Sequence, residues 1–221
     1  LVVLRYKHAT PNRVQDKDSQ YFLLKLIREG DIKETRIIHR YELGFNENNK
    51  PYSKLGRDIL FIERNLEFLK PGGRMAIVLP QGRFNNITDK RVRDFMAERC
   101  RILAVVGLHP NTFKPHAGTK TSVLFVQKWD DKLCPRRDDY PIFFAVSEKG
   151  GKGNSGEYIY AVDEQGRPRV DKYGHYVVDH DLHNHGGELP DSIAEAFIEF
   201  AKRECLSFWK DGQDAILNCG I

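Results

Sequence analysis

At 221 residues the chain has room for one domain with a sizeable core, or for a domain plus an appendage. Its formal net charge of +4, from 35 Lys and Arg against 31 Asp and Glu, suits a polyanionic partner without demanding one, and an ordinary solvated surface explains it too. No stretch approaches the roughly 18 apolar residues of a membrane span and no signal peptide is visible, so neither a membrane nor a secreted protein is expected.

Residues 1–20 pass from an apolar start into a polar run, Thr10 to Gln20, with no clear period, and a short helix is expected over Ser19–Glu29, ended by Gly30. Phe45 to Lys54 is rich in turn formers and reads as loop. A strong helix follows from Arg57 to Leu69: Ile59, Ile62, Leu66 and Leu69 fall on one face, and Pro71 and Gly72 stop it. Met75 to Leu79 then runs apolar without alternation, which predicts a strand buried on both faces, as in a parallel sheet covered by helices. Ligands of such α/β sheets sit beyond the carboxyl ends of the strands, here near Leu79, Pro80 and Gln81.

The loop Gln81–Thr88 leads to a helix over about 89–100, with Val92, Phe95 and Met96 inward, and to a strand from Ile102 to Leu108. Strand, helix and strand at this spacing predict a β-α-β unit with a right-handed crossover. A polar loop, His109 to Lys120, precedes a strand over Thr121–Gln127, and Ile142–Val146 extends the sheet. Residues 147–175 change character and read as a protruding hairpin excursion. The last element is a helix from Ser192, where Ser-Ile-Ala-Glu forms an S-x-x-E capping box, with Ile193, Phe197, Phe200 and Ala201 as its buried stripe. No internal repeat stands out. The cysteines at 100, 134, 205 and 219 include no C-x-x-C pair and read as reduced, mostly structural thiols of a cytoplasmic protein. The chain starts at Leu1 rather than Met and is read as a piece of a longer protein.

Three constellations could carry chemistry. Gly150, Gly151, Gly153 and Gly156 with Lys149 and Lys152 could wrap a phosphate, but a P-loop needs its Lys-Ser/Thr pair and a following helix, so a flexible hairpin tip is the nearer reading, with lysine contact to a nucleic-acid backbone as a further one. His175, His180, His183 and His185, interleaved with Asp179 and Asp181, match no familiar zinc spacing and read as a solvated polar turn; a metal shared by His180 and His183, or by His183 and His185, is the competing reading. The loop His109–Lys120 holds Phe113 amid polar and basic residues, either to stack on a planar ligand or as a plug beneath the loop.

Three blocks carry a resemblance. Asp58-Ile-Leu-Phe-Ile-Glu-Arg-Asn-Leu-Glu-Phe-Leu-Lys-Pro-Gly-Gly-Arg-Met-Ala-Ile-Val-Leu-Pro80, Ile102-Leu-Ala-Val-Val-Gly-Leu108, and Phe113 with Thr119-Lys-Thr-Ser-Val-Leu-Phe-Val126 are similar to the modification subunit of type I restriction–modification systems, an adenine-N6 DNA methyltransferase. The tail, Gly156-Glu-Tyr-Ile-Tyr160 and Asp179-His-Asp-Leu182 before an amphipathic helix, fits as well, so the likeness spans about Gly30 to Phe208. It implies an α/β fold: the second half of a Rossmann-like, S-adenosylmethionine-dependent methyltransferase sheet, with a β-hairpin excursion and a C-terminal helix. The implied layout is a segment of uncertain role at 1–29, the half-domain at 30–146, the excursion at 147–190, and the helix and tail at 191–221.

The resemblance implies a target adenine flipped from the duplex and methylated from S-adenosylmethionine. It places Phe113 at the base-stacking position, Pro80, Gln81 and Arg83 at the edge of the target-base cleft, and Lys114, Lys120, Lys149 and Lys152 on DNA. DNA and the specificity and restriction subunits are the implied partners, with self-association through an exposed sheet edge a further expectation. The chain departs from the family where catalysis resides. No Phe-x-Gly-x-Gly cofactor motif is present, and Lys25-Leu-Ile-Arg-Glu29 stands where an Asn-Pro-Pro-Phe tetrad belongs. No catalytic, cofactor-binding or metal residue is therefore assigned, and the chain is expected to be inactive alone. The alternative is a non-catalytic DNA- or subunit-binding fragment.

Overall fold

The computed structural model of the chain describes residues 2–4, 31–32 and 35–206, so the helix expected over Ser19–Glu29 lies outside the described residues. Two compact units result, one drawn from residues up to Ile102 together with Leu124–Asp138, the other from Leu103–Val123 and Asp139 onward. In chain order the elements are β1 (Val2–Leu4), β2 (Asp31–Ile32), α1 (Thr35–Ile38), β3 (Leu55–Gly56), α2 (Arg57–Phe68), β4 (Arg74–Pro80), α3 (Gly82–Asn85), α4 (Lys90–Arg99), β5 (Cys100–Gly107), β6 (Thr121–Lys128), β7 (Phe143–Val146) and α5 (Ile193–Arg203). A 3₁₀ turn at Glu42–Gly44 precedes β3 and another at Ile87–Asp89 precedes α4.

Five strands form a mixed sheet in the order β1-β4-β6-β5-β7, which with its helices makes the fold α/β. The Lys128 N–H donates to Gly73 O at 2.8 Å and the Gly72 N–H to Lys128 O at 3.1 Å, so the end of β6 meets the start of β4. Likewise the Leu108 N–H donates to Thr121 O at 2.9 Å, which joins the end of β5 to the start of β6. β4 and β5, with helix between them in the chain, are both antiparallel to β6 and so run parallel to each other, as a β-α-β unit requires, but β6 takes the place between them. β7 pairs parallel to β5, from Ala104↔Phe143 to Gly107↔Val146. β1 pairs antiparallel with β4 through Val2↔Ile77, Val3↔Ala76 and Leu4↔Met75, covering part of the edge that would otherwise stand open.

β4 corrects an expectation. Met75, Ile77 and Leu79 are buried, whereas Ala76 and Val78 on the other face are only half-buried. An unbroken apolar run thus conceals a two-sided strand whose second face is less deeply covered.

α2 buries Ile59, Leu60, Ile62 and Leu66, and with them Glu63. The Glu63 carboxylate accepts the N–H of Glu42 at 2.8 Å and of Leu43 at 2.9 Å, satisfying the first donors of the 3₁₀ turn. Burial raises its pKa above the usual carboxylate value, opposed by those two donors. A pKa higher in the folded state means that Glu63 contributes most below the ordinary Glu range and less as pH rises through its raised value. Replacing Glu63 with Ala leaves the buried Leu43 N–H without its acceptor, so Glu63→Ala is expected to cost about 1–3 kcal/mol in urea unfolding. Gly72, at φ 70°, ends the turn after α2, and a Cβ there would meet the Leu133 side chain at 2.7 Å.

Cys100 and Cys134 are free and buried, as the sequence suggests, but Cys205 is disulfide-bonded, which corrects the expectation of four reduced thiols. Burial pushes the Cys100 thiol up to about 12 and raises Cys134 as well. Neither is a thiolate at neutral pH. A disulfide-exchange reagent at pH 8 is therefore expected to spare both thiols in the native chain and to label both once it is unfolded.

In the second unit α5 begins with the predicted capping box, the Ser192 side chain on the backbone of Glu195 and the Glu195 carboxylate on the Ser192 N–H at 3.0 Å. Phe200 and Ala201 are its buried residues, and Phe197 and Phe200 pack on Phe143 of β7, with ring centroids 5.3 and 5.5 Å away. Residues 150–180 form a ladder of isolated bridges around three similar turns. Each closes with an N–H to carbonyl bond across four residues: Gly153 to Glu157, Asp163 to Arg167 and Asp171 to His175. Gly156, Gly166 and Gly174 occupy equivalent places with φ of 100°, 77° and 82°. Asp163 and Asp171 each accept two backbone N–H groups inside their turns. An Asp-x-x-Gly unit therefore recurs eight residues apart, a repeat absent from the sequence reading.

Candidate nucleic-acid interface

The loop between β5 and β6 is folded by its own polar groups. Thr112 donates to His109 O from both its N–H, at 3.0 Å, and its Oγ1, at 2.8 Å. Phe113 O accepts the N–H of His116 and of Ala117, both at 3.0 Å, which shapes a turn around Phe113, itself half-buried.

The glycine-rich segment packs on this loop. Asn111 Nδ2 donates to Lys152 O at 3.1 Å and Lys152 Nζ returns a bond to Lys114 O at 3.0 Å, while a Cβ at Gly156 would meet Pro115 N at 2.6 Å. Gly156 is thus required by the close approach of the two segments as well as by its φ of 100°. Two constellations that are far apart in sequence become one surface, with Phe113, Lys114 and Lys152 brought together. Lys120 is exposed at the end of the same loop. Lys149 lies apart from them in its bonding, with Nζ on the Asp179 carboxylate at 3.1 Å.

Arg83, in the first unit, has a different occupation. Its Nε meets Asp58 Oδ2 at 2.6 Å, Nη2 meets Asp58 Oδ1 at 3.1 Å, and Nη1 meets both Asp89 oxygens at 3.1 Å. Burial opposes the charge, but the two carboxylates outweigh it and hold the guanidinium's pKa above its ordinary value. All of its planar fork is spent joining α2, the α3 turn and the start of α4. Pro80 closes β4 and Gln81 precedes α3, both half-buried, and Gln81 O accepts the Phe84 N–H at 3.0 Å. Beside Arg83 lies a cleft of ≈ 390 Å³ that Lys54, Asp89 and Arg91 also line. The Arg91 guanidinium is held there by the carbonyls of Glu42 and Leu43.

Three of the clustered histidines also come together. The ring centroids of His180, His183 and His185 lie 4.3–4.6 Å apart, while His175 stands alone beside Asp171. Burial first, and then the neighbouring rings, hold the pKa of His180 and His183 below the ordinary histidine value. Asp181 anchors the strand end nearby, accepting Ser147 Oγ at 2.6 Å and the N–H of Glu148 at 2.6 Å.

Residues 32–182 match the N-6 DNA Methylase family, which spans most of both units. The chain belongs to that family. A type I restriction enzyme EcoEI methylase subunit from Escherichia coli is 33% identical over 85 residues, covering 37% of this chain and 17% of that relative. Among solved structures, a class I S-adenosylmethionine-dependent methyltransferase from Listeria monocytogenes is 22% identical over 53% of this chain and 33% of its own, with a TM-score of 0.44. A modification subunit of a type I restriction enzyme from Vibrio vulnificus is 13% identical over 66% of this chain and 34% of its own, with a TM-score of 0.38. The chain therefore spans 17% of the curated relative's length and about a third of these two structures.

Membership of the N-6 DNA methylases implies S-adenosylmethionine, and the glycine cluster at 150–156 does not fit it. The glycine cluster is not a cradle: space for a Cβ at Gly151 is filled by Val178, at Gly153 by the Glu157 carboxylate and at Gly156 by Pro115. Its next pairing is a β-bridge, Lys152↔Tyr158, rather than a helix whose N-terminus could face a charged ligand. Sequence reasoning also missed the Arg83 clasp, whose partners lie 25 and 6 residues away and leave no periodic trace.

Proposed function

We propose that this chain is the target-base side of an adenine-N6 DNA methyltransferase, the second half of the methyltransferase sheet of a type I modification subunit. The match of residues 32–182 to the N-6 DNA methylases carries this reading. Residues 30–146 belong to the catalytic fold, 147–190 to the excursion packed against the 109–117 loop, and 191–221 to the helix and tail, with 1–29 contributing the strand that pairs with β4.

The exocyclic amine of adenine cannot be reached within a stacked duplex, so the base is extruded and held by a π surface. Phe113 supplies that surface. Lys114, Lys120 and Lys152 take the flanking phosphates, and Lys149 joins them once it exchanges Asp179 for DNA. Pro80 and Gln81 edge the base cleft, and Arg83 holds that edge in shape through Asp58 and Asp89. Methyl transfer needs the cofactor site and tetrad that this sequence lacks, so turnover requires a complementary chain segment. DNA and the specificity and restriction subunits of a type I system are the partners, in the cytoplasm; no described helix is long and apolar enough to cross a membrane. Self-association through the β4 edge is opposed by β1.

Isothermal titration of S-adenosylmethionine into the chain, followed by methyl transfer to mixed-sequence duplex DNA, tests this reading. Neither binding nor transfer is expected. Transfer by the chain alone would mean that it holds a cofactor site, and the half-domain assignment would fall.

A further inference from the structure

The loop between the bridged ladder and α5 is fastened at several points. His180 pairs with Gly150 across a β-bridge, the Asp181 carboxylate accepts Ser147 Oγ and the N–H groups of Glu148 and Lys149, and the Asn184 N–H donates to Glu195 Oε1 at 3.3 Å. His185, Gly186 and Gly187 follow at φ 52°, 73° and 101°, so the backbone curls back on itself immediately after Asn184. That curl, rather than helix or strand periodicity, turns an H-x-x-H-x-H spacing into a cluster.

One ring nitrogen from each of His180, His183 and His185 lies within 4.8 Å of the other two. Nε2 of His180 and Nε2 of His185 are 2.9 Å apart, sharing one hydrogen bond. Three imidazole nitrogens gathered this closely, with the base of the loop fixed, are the donor set that zinc takes from proteins.

We propose that His180, His183 and His185 form a three-histidine zinc site that clips the loop ahead of α5, with water in the fourth position. Nitrogens bound to zinc at about 2.0–2.1 Å in a tetrahedron stand roughly 3.3 Å from one another. His180 and His185 need to part only slightly to reach that spacing. The third nitrogen must swing inward, and the exposed His183 ring has the freedom to do so. Loading replaces the proton shared by His180 and His185 with the metal.

Two further contacts bear on affinity. His180 Nδ1 accepts the Leu182 N–H at 3.2 Å and His183 Nδ1 accepts the His185 N–H at 3.1 Å. Rings in that tautomer carry their neutral-state proton on Nε2, so ligation through Nε2 gives up both long bonds. The site accordingly binds less tightly than one with no bonds to give up, and it favours metals that prefer imidazole to carboxylate. Glu195, already engaged by the Ser192 and Asn184 N–H groups, is left to its cap.

The test uses the full chain without any affinity tag, titrated with zinc chloride by calorimetry and with cobalt chloride by visible absorption. One metal per chain is expected, with the intense visible bands of tetrahedral cobalt. His180→Ala and His183→Gln should each weaken zinc binding at least tenfold, while His175→Ala should leave it unchanged. Because His183 is exposed, His183→Gln reports on ligation without disturbing packing, and circular dichroism of each variant confirms the fold. Absence of binding, binding that survives both cluster substitutions, or binding abolished by His175→Ala would overturn the site.

Discussion

Arg83→Ala is expected to lower the stability of the chain by roughly 2–4 kcal/mol, because it strands two carboxylates at once. The Asp89 side chain is only 9% exposed, and Asp58 and Arg83 are 26% and 23% exposed, so solvent compensates incompletely for the missing guanidinium. The pair energies themselves are screened; the cost arises mainly from leaving Asp89 buried without its partner. Arg83→Lys should recover only part of the loss, since one ammonium cannot serve both carboxylates through a planar fork. The double variant Asp58→Asn/Asp89→Asn on the Arg83→Ala background should be more stable than Arg83→Ala alone, since the stranded charges are gone. Urea unfolding of the four proteins decides the matter. If Arg83→Ala unfolds at the wild-type denaturant concentration, the clasp is not structural and Arg83 is free to contact the target base directly.

What the sequence disclosed and what it withheld follow a physical division. Features that depend on neighbours within a few residues were legible: the apolar stripe of α2, the inward Val92, Phe95 and Met96 of α4, and the Ser192–Glu195 capping box. The family resemblance was legible for the same reason, being written in contiguous blocks that residues 32–182 confirm as N-6 DNA methylase. Features that depend on pairing across the chain were not. Nothing local in Thr121–Lys128 announces that it will insert antiparallel between β4 and β5. The alternation in β4 was hidden because Ala76 and Val78, though half-exposed, are apolar. The histidine cluster depends on three consecutive residues with positive φ, one of them His185, which no spacing rule for metal ligands anticipates. The repeated Asp-x-x-Gly turns differ: the residues at 163–166 and 171–174 are contiguous and in plain view, but two four-residue matches are too short to stand out as a repeat until their shared bonding is seen.

Phe113→Ala should weaken binding of an adenine-rich single-stranded oligonucleotide by about five- to 150-fold, the range set by roughly 1–3 kcal/mol of stacking per base. The turn that offers Phe113 O to two N–H groups is backbone-made, so it should survive loss of the ring, and Phe113→Tyr should bind nearly as well as the native chain. Replacing Lys114 or Lys120 should act differently. Each lysine that neutralises a phosphate contributes about 0.7 to the slope of log affinity against log salt on single strands, so either alanine variant should flatten that slope by nearly this amount. Fluorescence anisotropy across a salt series separates the two effects, because Phe113→Ala should shift the line downward without tilting it. A core plug predicts the reverse pattern: Phe113→Ala would lower the unfolding midpoint while leaving oligonucleotide affinity, measured where the variant is fully folded, unchanged. The packing of the 149–156 segment on the loop adds a condition. If Gly156 is needed for the close approach to Pro115, then Gly156→Ala should loosen the segment carrying Lys152 and lower affinity even though no contact to the base is touched.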